Sequence, residues 1–320
     1  MEAKQDIKMR GAPKDEIPKN PLLRKELNKA KAPEQKPHNP VEEALQKGKE
    51  EAIAVGAPLP HAETHKVAII TGASSGIGKA VALHLASSNY NIVLVARKKE
   101  ELHKVEQELA KYEVKVLVRE CDVTKVVQVH ETVQHAIKSF GRIDVLVNCA
   151  GYGVYGELET MRLEDINGQM LTNYFGTVLC IKEALPKLKE SKGVIINIAS
   201  IAGLVGVPQM AAYSASKHAV VGLSESLRFE LDGTGVSVSC ICPGKVKTNL
   251  HQHESFKNVE WAHDDNYGIV PSAVARTVDK AIKERKFLYV TPPYRRWQLL
   301  VGRLLPHSLA AKMVKKNIEK

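Results

Sequence analysis

The chain has 320 residues, and 44% of them are hydrophobic, which is enough apolar material for one large globular domain or two smaller ones. This composition excludes a chain that is disordered throughout. The formal net charge is +10, but residues 281–320 alone carry 10 Lys and Arg against 2 Asp and Glu. Because the positive charge is terminal and no nucleic-acid-binding module accompanies it, we predict no nucleic-acid partner.

Residues 1–64 are predicted to form a disordered, charged tail. Eight of the 15 prolines fall in the first 60 residues, and proline interrupts both helices and strands. The segment lacks the apolar core of a secretory signal peptide, and its many acidic residues argue against an organelle transit peptide. No apolar run in the chain reaches the length that spans a bilayer. We therefore expect a cytoplasmic protein.

From His65 onward, short β-branched runs alternate with longer amphipathic segments. The runs are "KVAII", "NIVLV", "VKVLV", "IDVLVN", "GVIINI", "GVSVSCI" and "KFLYV". Continuous apolar runs are typical of strands covered on both faces, and their alternation with helices predicts an α/β fold. We expect a doubly wound Rossmann fold, with a central parallel sheet flanked by helices, over residues 65–291. Residues 292–320 are predicted to be a basic amphipathic extension.

The first run ends in "TGASSGIG", which places Gly72, Gly76 and Gly78 between the first strand and the first helix. In a doubly wound fold, a glycine-rich turn at this point binds the pyrophosphate of a dinucleotide. Gly72 allows the tight turn, Gly76 the close approach of phosphate, and Gly78 the packing of helix on strand. The spacing differs from the general G-x-G-x-x-G fingerprint, and a glycine-rich turn without a ligand is the alternative interpretation.

Arg97 follows the second run, at the position expected to lie near the adenosine ribose. A carboxylate there favours NAD, whereas an arginine accommodates the 2′-phosphate of NADP. Between the start of the second run and Glu100 there is no acidic residue. The sequence therefore predicts NADP rather than NAD. The alternative is that Arg97 and the lysines after it only solvate the start of a helix.

Seven motifs follow one another along the chain: "TGASSGIG", "CDVT", "NCAG", "TNYFGT", "IAS", "YSASK" and "PGKVKT". Together they resemble the short-chain dehydrogenase/reductase family, over roughly residues 65 to 250. The resemblance implies an oxidoreductase that transfers hydride between a nicotinamide nucleotide and a carbonyl or alcohol carbon. It also implies a catalytic set consisting of Asn173, Ser200, Tyr213 and Lys217.

The resemblance assigns the proton transfer to Tyr213, as general acid in reduction and general base in the reverse reaction. Residues four apart share one face of a helix, so Lys217 is expected beside the phenol. The ammonium and a positively charged nicotinamide should lower the pKa of Tyr213 from about 10. Lys217 would also hold the nicotinamide ribose and lead a proton path through a water at Asn173. Ser200 would hydrogen-bond the substrate oxygen.

The resemblance further implies which residues contact the nucleotide. They are Gly72, Ser74, Ser75, Gly76, Ile77, Gly78, Arg97, Asp122, Val123, Asn148, Ala150, Gly151, Tyr213, Lys217, Pro243, Gly244, Val246 and Thr248. Asp122 is expected to accept a hydrogen bond from the adenine amino group, and Val246 and Thr248 to hold the carboxamide. Cys149 stands where the family more often has Asn, and its side chain is not expected to touch the nucleotide.

A substrate pocket is predicted between "GYGVYGEL" and residues 249–270. Its lining residues are expected to be Tyr152, Val154, Tyr155, Leu204, Val205, Trp261 and Tyr267, with Ser200 and Tyr213 at the reacting oxygen. These apolar or amphipathic side chains favour a ketone or alcohol with hydrophobic bulk, such as a lipid or a steroid. We predict no metal site, because Cys240-x-Cys242 lacks a second pair and His251 and His253 are expected to be solvated.

The C-terminal segment "YRRWQLLVGRLLPHSLAAKMVKKNIEK" mixes apolar residues with Arg and Lys. Two interpretations are open: peripheral contact with an anionic membrane surface, or packing of its apolar side on the domain or on a second subunit. The resemblance also implies a homo-oligomer, a dimer or a tetramer.

These observations predict an NADP-dependent carbonyl reductase. One alternative is an NAD-dependent alcohol or hydroxysteroid dehydrogenase. The other is a nucleotide-binding scaffold without turnover, against which the complete set of Asn, Ser, Tyr and Lys argues.

Overall fold

The computed structural model describes residues 65–248, 253–263 and 268–294. They belong to a unit that spans Gly56–Lys320, and a second unit, Met1–Val55, lies outside the described residues. The predictions for residues 1–64, for His251 and Tyr267, for the side chain of Trp261 and for most of the C-terminal extension also lie outside the described part of the chain.

Seven strands in the described residues pair in parallel, in the order β3-β2-β1-β4-β5-β6-β7. The strands are β1 (Val67–Thr71), β2 (Asn91–Ala96), β3 (Val116–Glu120), β4 (Val145–Asn148), β5 (Val194–Ile198), β6 (Ser237–Pro243) and β7 (Leu288–Thr291). Each predicted run contributes one strand. β3 and β6 are each displaced by two residues from their runs; before β3, the Val114 N–H bonds to the Tyr112 carbonyl in the preceding turn.

Helices follow the strands as the alternating pattern predicts. They are α1 (Gly76–Ala86), α2 (Lys99–Leu109), α3 (Val126–Phe140), α4 (Leu163–Met170), α5 (Gly176–Ser191), α6 (Ala211–Glu230), α7 (Glu260–His263) and α8 (Pro271–Glu284). A π-helical turn, Leu171–Phe175, joins α4 to α5, and 3-10 turns span Ile201–Gly203 and Glu254–Phe256. Helix α3 ends at Gly141, whose left-handed φ of 72° is a common way to terminate a helix.

The hydrophobic core lies in two layers, one on each face of the sheet. Ile70 faces a cluster that includes residues of α1, α2 and α8, whereas its neighbour Ile69 faces residues of α3, α5 and α6. Successive strand residues point to opposite faces, so both must be apolar in a strand that is covered on both sides. This confirms the predicted doubly wound fold.

The strand order changes direction between β1 and β4. The chain runs from β1 outward to β3, and then returns to build β4 to β7 on the other side of β1. The loops after β1 and β4 therefore separate at the centre of the sheet, where doubly wound folds bind their ligands at the carboxyl ends of the strands. Among the described helices, none combines the length and apolar character needed to cross a bilayer.

Candidate active site

The glycine turn between β1 and α1 depends on close backbone contacts. Gly72 and Gly76 have positive φ angles of 66° and 53°, which favour glycine. A Cβ atom on Gly72 would lie 3.0 Å from the backbone nitrogen of Ala150, and one on Gly78 would overlap the Gly72 carbonyl. The turn is therefore packed against the loop after β4 on one side and against its own helix on the other.

The N-terminus of α1 is open to an anion. Its N-cap residue, Ser75, makes no side-chain hydrogen bond to the helix, and the first turn contains no acidic residue. The first amide groups of a helix have no partners within the helix and carry partial positive charge. Ser74, Ser75, Gly76 and Ile77 thus form a site that fits the diphosphate of a dinucleotide. Thr248 lies over this turn, because a Cβ on Gly76 would be 3.0 Å from its methyl group.

Two further predicted nucleotide contacts follow β2 and β3. The Ala73 N–H donates to the Val95 carbonyl, which brings the glycine turn to the end of β2, and the exposed Arg97 comes two residues later. After β3, Oδ1 of Asp122 accepts from the backbone N–H and the hydroxyl of Thr124, at 2.9 and 2.8 Å. The Asp122 carboxylate is therefore fixed in direction. Val123 beside it is buried.

The "NCAG" loop after β4 is attached to β1. The hydroxyl of Thr71 accepts from the N–H groups of Cys149 and Ala150, both at 3.0 Å. Thr71 was not among the predicted site residues, although its place at the end of β1 could have indicated it. The Asn148 side chain is buried and donates to Oδ1 of Asn197 at 2.8 Å. This hydrogen bond links the central strands β4 and β5, and the contact of Asn148 with the nucleotide stays a prediction.

Ser200, Tyr213 and Lys217 meet at the carboxyl end of β5. Tyr213 and Lys217 lie on α6 and are only 7% and 5% exposed. The Lys217 ammonium donates to the Ile198 carbonyl at 2.9 Å and lies 5.8 Å from the centre of the Tyr213 ring. The Ser200 hydroxyl hydrogen-bonds the Tyr213 phenol. The i, i+4 spacing thus places the two α6 side chains together, as predicted.

The pKa of Tyr213 differs from the expectation. Burial raises it to about 12, and the hydrogen bond to Ser200 opposes that rise only in part. The predicted lowering, which counts the charge of a bound nicotinamide together with that of Lys217, stays a prediction, whereas the protein groups alone raise this pKa. The physical reason is that burial penalises both charges: it also lowers the pKa of Lys217, whose ammonium is directed at the Ile198 carbonyl.

Asn173 lies in the π-helical turn and is 1% exposed. Its Oδ1 accepts from the Tyr152 N–H at 3.0 Å, and its Nδ2 donates to the Tyr152 carbonyl and to the Ser216 hydroxyl, both at 2.9 Å. A Cβ on Gly151 would be 2.8 Å from Asn173 Oδ1 and 3.4 Å from Lys217 Nζ, so these residues converge. The Asn173 side chain is committed to protein groups, and its main-chain carbonyl accepts from the Thr177 hydroxyl at 2.9 Å. The water at Asn173 stays a prediction.

An apolar cluster surrounds the Tyr213 ring. Its buried members are Ala202, Met210 and Phe256, and Tyr155 packs against it with its ring centre 5.6 Å from that of Phe256. Phe256 is completely buried, and it was missed as an individual residue although it falls in the predicted 249–270 segment. The sequence feature that could have indicated Phe256 is a single aromatic residue in an otherwise polar stretch.

Tyr155 is held at both ends. Its N–H donates to the Ser255 hydroxyl at 3.0 Å, and its phenol bonds the side chain of Gln209. Gln169, another residue that the sequence did not indicate, is fully buried and accepts from the Val154 N–H at 3.0 Å. The loop after β4 is thus fixed along its length.

Two of the residues that are predicted to line the substrate pocket, Tyr152 and Leu204, also contact other parts of the fold. The Tyr152 hydroxyl packs against Gly168 of α4, because Asn173 holds the Tyr152 backbone and turns the side chain toward that helix. Leu204 packs on the cluster of Ala199, Val220, Cys240 and Cys242 rather than on the cluster around Tyr213. Both side chains are only partly buried, and their contact with a substrate stays a prediction.

The "PGKVKT" segment after β6 is attached to its surroundings by backbone contacts. Pro243 ends β6, the Gly244 N–H donates to the Thr291 carbonyl at 2.8 Å, and Val246 forms a parallel bridge with Ile269. The segment therefore leads Thr248 back to the glycine turn. Among the described residues, no group of His, Cys, Asp and Glu could hold a metal ion.

Comparisons with known proteins agree with this geometry. Residues 66–258 match the family model for short chain dehydrogenases. The chain is 37% identical over 224 residues to an uncharacterized oxidoreductase of Staphylococcus saprophyticus, which covers 68% of this chain and 90% of that protein. It is also 37% identical over 201 residues to 3-ketodihydrosphingosine reductase of Bacteroides thetaiotaomicron, covering 62% and 71%.

Solved structures are similar over most of their length. A short chain dehydrogenase/reductase from Burkholderia phymatum in complex with NAD has a TM-score of 0.70 at 29% identity and covers 76% of this chain and 94% of its own. A variant of actinorhodin polyketide ketoreductase with NADPH has a TM-score of 0.66 at 32% identity, covering 72% and 96%. Both hold a nicotinamide nucleotide, one NAD and the other NADPH.

Proposed function

Because the chain belongs to the short-chain dehydrogenase/reductase family, we propose that it is an NADP(H)-dependent oxidoreductase that interconverts a hydrophobic ketone or aldehyde and its alcohol. The observation that carries this proposal is the meeting of the Tyr213 phenol, the Ser200 hydroxyl and the Lys217 ammonium beside the glycine turn. These three groups can move and stabilise a proton at a carbonyl oxygen, which is what the protein must supply when hydride reaches the carbon.

The proposed roles follow from the contacts. The nucleotide supplies the hydride. Tyr213 gives its proton to the substrate oxygen, and a phenol is protonated at neutral pH, as a general acid requires. Ser200 donates a hydrogen bond to the same oxygen. Lys217, with its ammonium held by the Ile198 carbonyl, stabilises the phenolate that forms on proton transfer.

Arg97 supports NADP over NAD. It is exposed directly after β2, and β2 bonds the glycine turn through Val95. A guanidinium at this place can bind the 2′-phosphate with charge-assisted hydrogen bonds, which are roughly twice as strong as neutral ones. The carboxylate of Asp122, fixed by Thr124, is proposed to accept from the adenine amino group.

The apolar cluster around Tyr213 supports a hydrophobic substrate. Ala202, Met210 and Phe256 offer no charged or strongly polar group to a sugar or an acid. One relative is named for the reduction of 3-ketodihydrosphingosine, which is a ketone on a lipid base. A lipid-like or steroid-like ketone is therefore the proposed substrate class.

The proposal also covers the domain bounds, the location and the self-association of the protein. We propose a catalytic domain over residues 65–291 of a cytoplasmic protein, preceded by a charged tail and followed by a basic extension. We propose that this extension contacts a membrane surface peripherally. Self-association is proposed through exposed apolar side chains of α4, of the π-helical turn and of α6. Four large apolar side chains are 48% to 70% exposed there: Leu163, Leu171, Phe175 and Phe229.

The first experiment compares NADPH and NADH by fluorescence titration of wild type, Arg97→Ala and the control Lys99→Ala. We expect wild type to prefer NADPH by about tenfold to 100-fold, and Arg97→Ala to lose that preference while Lys99→Ala keeps it. A preference that survives in Arg97→Ala would assign the 2′-phosphate to another residue, and a preference for NADH would favour the alternative of an NAD-dependent dehydrogenase.

The second experiment measures turnover of a panel of hydrophobic ketones by Tyr213→Phe. We expect the rate to fall by about 10² to 10⁴, because the general acid is removed, while the affinity for NADPH stays unchanged. Turnover at the wild-type rate in Tyr213→Phe would contradict the role of the phenol. NADPH binding without turnover in the wild type would favour a scaffold.

A further inference from the structure

Ser216 lies between Tyr213 and Lys217 in the "YSASK" motif, and its side chain is completely buried. Its hydroxyl makes two hydrogen bonds. It donates to the Tyr213 carbonyl at 2.7 Å, and it accepts from Nδ2 of Asn173 at 2.9 Å. One small side chain therefore joins the helix that carries Tyr213 to the π-helical turn that carries Asn173.

The connection continues from Asn173 to the loop after β4. The same amide that donates to Ser216 also donates to the Tyr152 carbonyl, and its oxygen accepts from the Tyr152 N–H. Both hydrogens of the Asn173 amide are thus used, and its position is defined by Ser216 on one side and Tyr152 on the other. A continuous path of hydrogen bonds runs from α6 through Ser216 and Asn173 to the pocket loop.

We propose that Ser216 is a positioning residue. Its hydroxyl sets the Asn173 amide, and through it the Tyr152 backbone, relative to the Tyr213–Lys217 pair. The kinetic part of this inference rests on the proposed function; the structural coupling does not. Ser216 has no assigned role in proton transfer, and it acts only through Asn173 and the α6 backbone.

The chemistry of the interior makes the hydroxyl necessary. Alanine at this position would leave one hydrogen of the Asn173 amide without an acceptor where water cannot replace it. The amide can recover a partner only by rotating, which breaks one of its two bonds to Tyr152. The loop after β4 then loses its attachment, and the pocket moves relative to the phenol.

The same helix provides a matched control. Ser224 is also completely buried on α6, donates to a carbonyl in the preceding turn at 2.6 Å and accepts from a buried amide, that of Asn197, at 2.9 Å. Ser224→Ala therefore removes the same number and kind of hydrogen bonds from the same helix. It does so about three helical turns away from Tyr213 and without contact with Asn173.

The test compares wild type, Ser216→Ala, Ser216→Thr and Ser224→Ala by backbone hydrogen exchange and by kinetics. In Ser216→Ala we expect backbone hydrogen exchange in the peptide that contains Tyr152 to be about tenfold faster, because the hydrogen bond from the Tyr152 N–H to Asn173 is weakened. Ketone turnover should fall by about tenfold to 100-fold, and the KM for NADPH should stay within about twofold. Ser216→Thr should restore both, since a helical Thr hydroxyl can reach the same carbonyl.

Ser224→Ala should melt at a temperature as low as that of Ser216→Ala and leave both readouts at wild-type values. Unchanged exchange near Tyr152 in Ser216→Ala, or equal acceleration in Ser224→Ala, would overturn the proposal whether or not the wild type turns over a ketone. Faster exchange with unchanged turnover would overturn the catalytic consequence. If Ser216→Ala does not fold, Ser216→Cys gives the same comparison with a weaker hydrogen-bonding group of similar shape. An inactive wild type that still binds NADPH contradicts the proposed function, and the exchange data then decide the coupling.

Discussion

The nucleotide side and the catalytic side of the candidate active site are held in place by different kinds of contact. On the nucleotide side, the glycine turn is packed by backbone, with Gly72 against Ala150 and Gly78 against the Gly72 carbonyl. On the catalytic side, buried side chains bind backbone groups: Asn173 holds Tyr152, and Lys217 holds the Ile198 carbonyl. We therefore expect the glycine turn to be most sensitive to added atoms, and the contacts of Asn173 and Lys217 to be most sensitive to the removal of polar atoms.

The largest effect is expected from adding one methyl group at Gly78. In Gly78→Ala, the new Cβ would lie 2.7 Å from the carbonyl carbon of Gly72, so the helix and the turn must move apart. Overpacking of this kind costs about 1–3 kcal/mol. We expect the affinity for NADPH to fall by about tenfold to 100-fold, measured by fluorescence titration together with the melting temperature.

Gly222→Ala is the matched control for this prediction. Gly222 lies on α6, and a Cβ there would meet no atom within 4 Å. Alanine should raise the free energy of unfolding by about 0.5–1 kcal/mol, because glycine is a poor helix former. NADPH binding at wild-type affinity in Gly78→Ala would show that the turn does not form the nucleotide site.

The next effect is expected from removing one acceptor on the catalytic side. Gln169→Leu has a similar shape but leaves the buried Val154 N–H without its partner. This should lower the free energy of unfolding by about 1–3 kcal/mol. The KM for a ketone should rise by about tenfold while the affinity for NADPH stays unchanged, because the loosened loop faces the substrate. Chemical denaturation and steady-state kinetics measure both quantities.

Gln128→Leu tests whether burial is the cause. Gln128 also accepts from a loop N–H, that of Asp122 at 2.7 Å, but it is exposed on the nucleotide side. Water can take its place, so the loss in unfolding free energy should stay within about 0.5 kcal/mol. Equal losses in the two variants would contradict the difference between the two sides.

The same difference explains what the sequence could predict. Strand runs, glycine spacing and the i, i+4 placement of Tyr213 and Lys217 are local patterns, and the structure agrees with them. Gln169, Ser216 and Phe256 were missed because their roles depend on contacts between distant segments. The Asn173–Ser216 and Tyr155–Ser255 bonds join residues 43 and 100 positions apart. Sequence patterns also could not predict the direction of the Asn148 amide or the packing of Leu204, since both depend on which neighbours fill the interior.

The last effect, which is confined to alkaline pH, is expected in the stability of the catalytic side. Burial raises the pKa of Tyr213 to about 12, so the folded chain keeps this proton at pH values where an unfolded chain, with a pKa near 10, has lost it. The resulting contribution is fully present below pH 10 and is lost as the pH rises from about 10 to about 12. The free energy of unfolding should therefore decrease by up to about 1.4 kcal/mol per pH unit across this window because of Tyr213.

Urea denaturation of wild type and Tyr213→Phe between pH 9 and pH 11 isolates that contribution. Cys149, whose pKa burial also raises to about 12, is present in both proteins, and only its charge interaction with Tyr213 differs between them. The two curves should run parallel up to about pH 10, and above it the wild type should lose stability more steeply. Parallel curves over the whole range would mean that the phenol ionises as easily in the folded chain as in the unfolded one. If the wild type loses stability less steeply with pH than Tyr213→Phe, the charge of Lys217 outweighs burial. The protein would then lower the pKa of Tyr213 without a bound nucleotide.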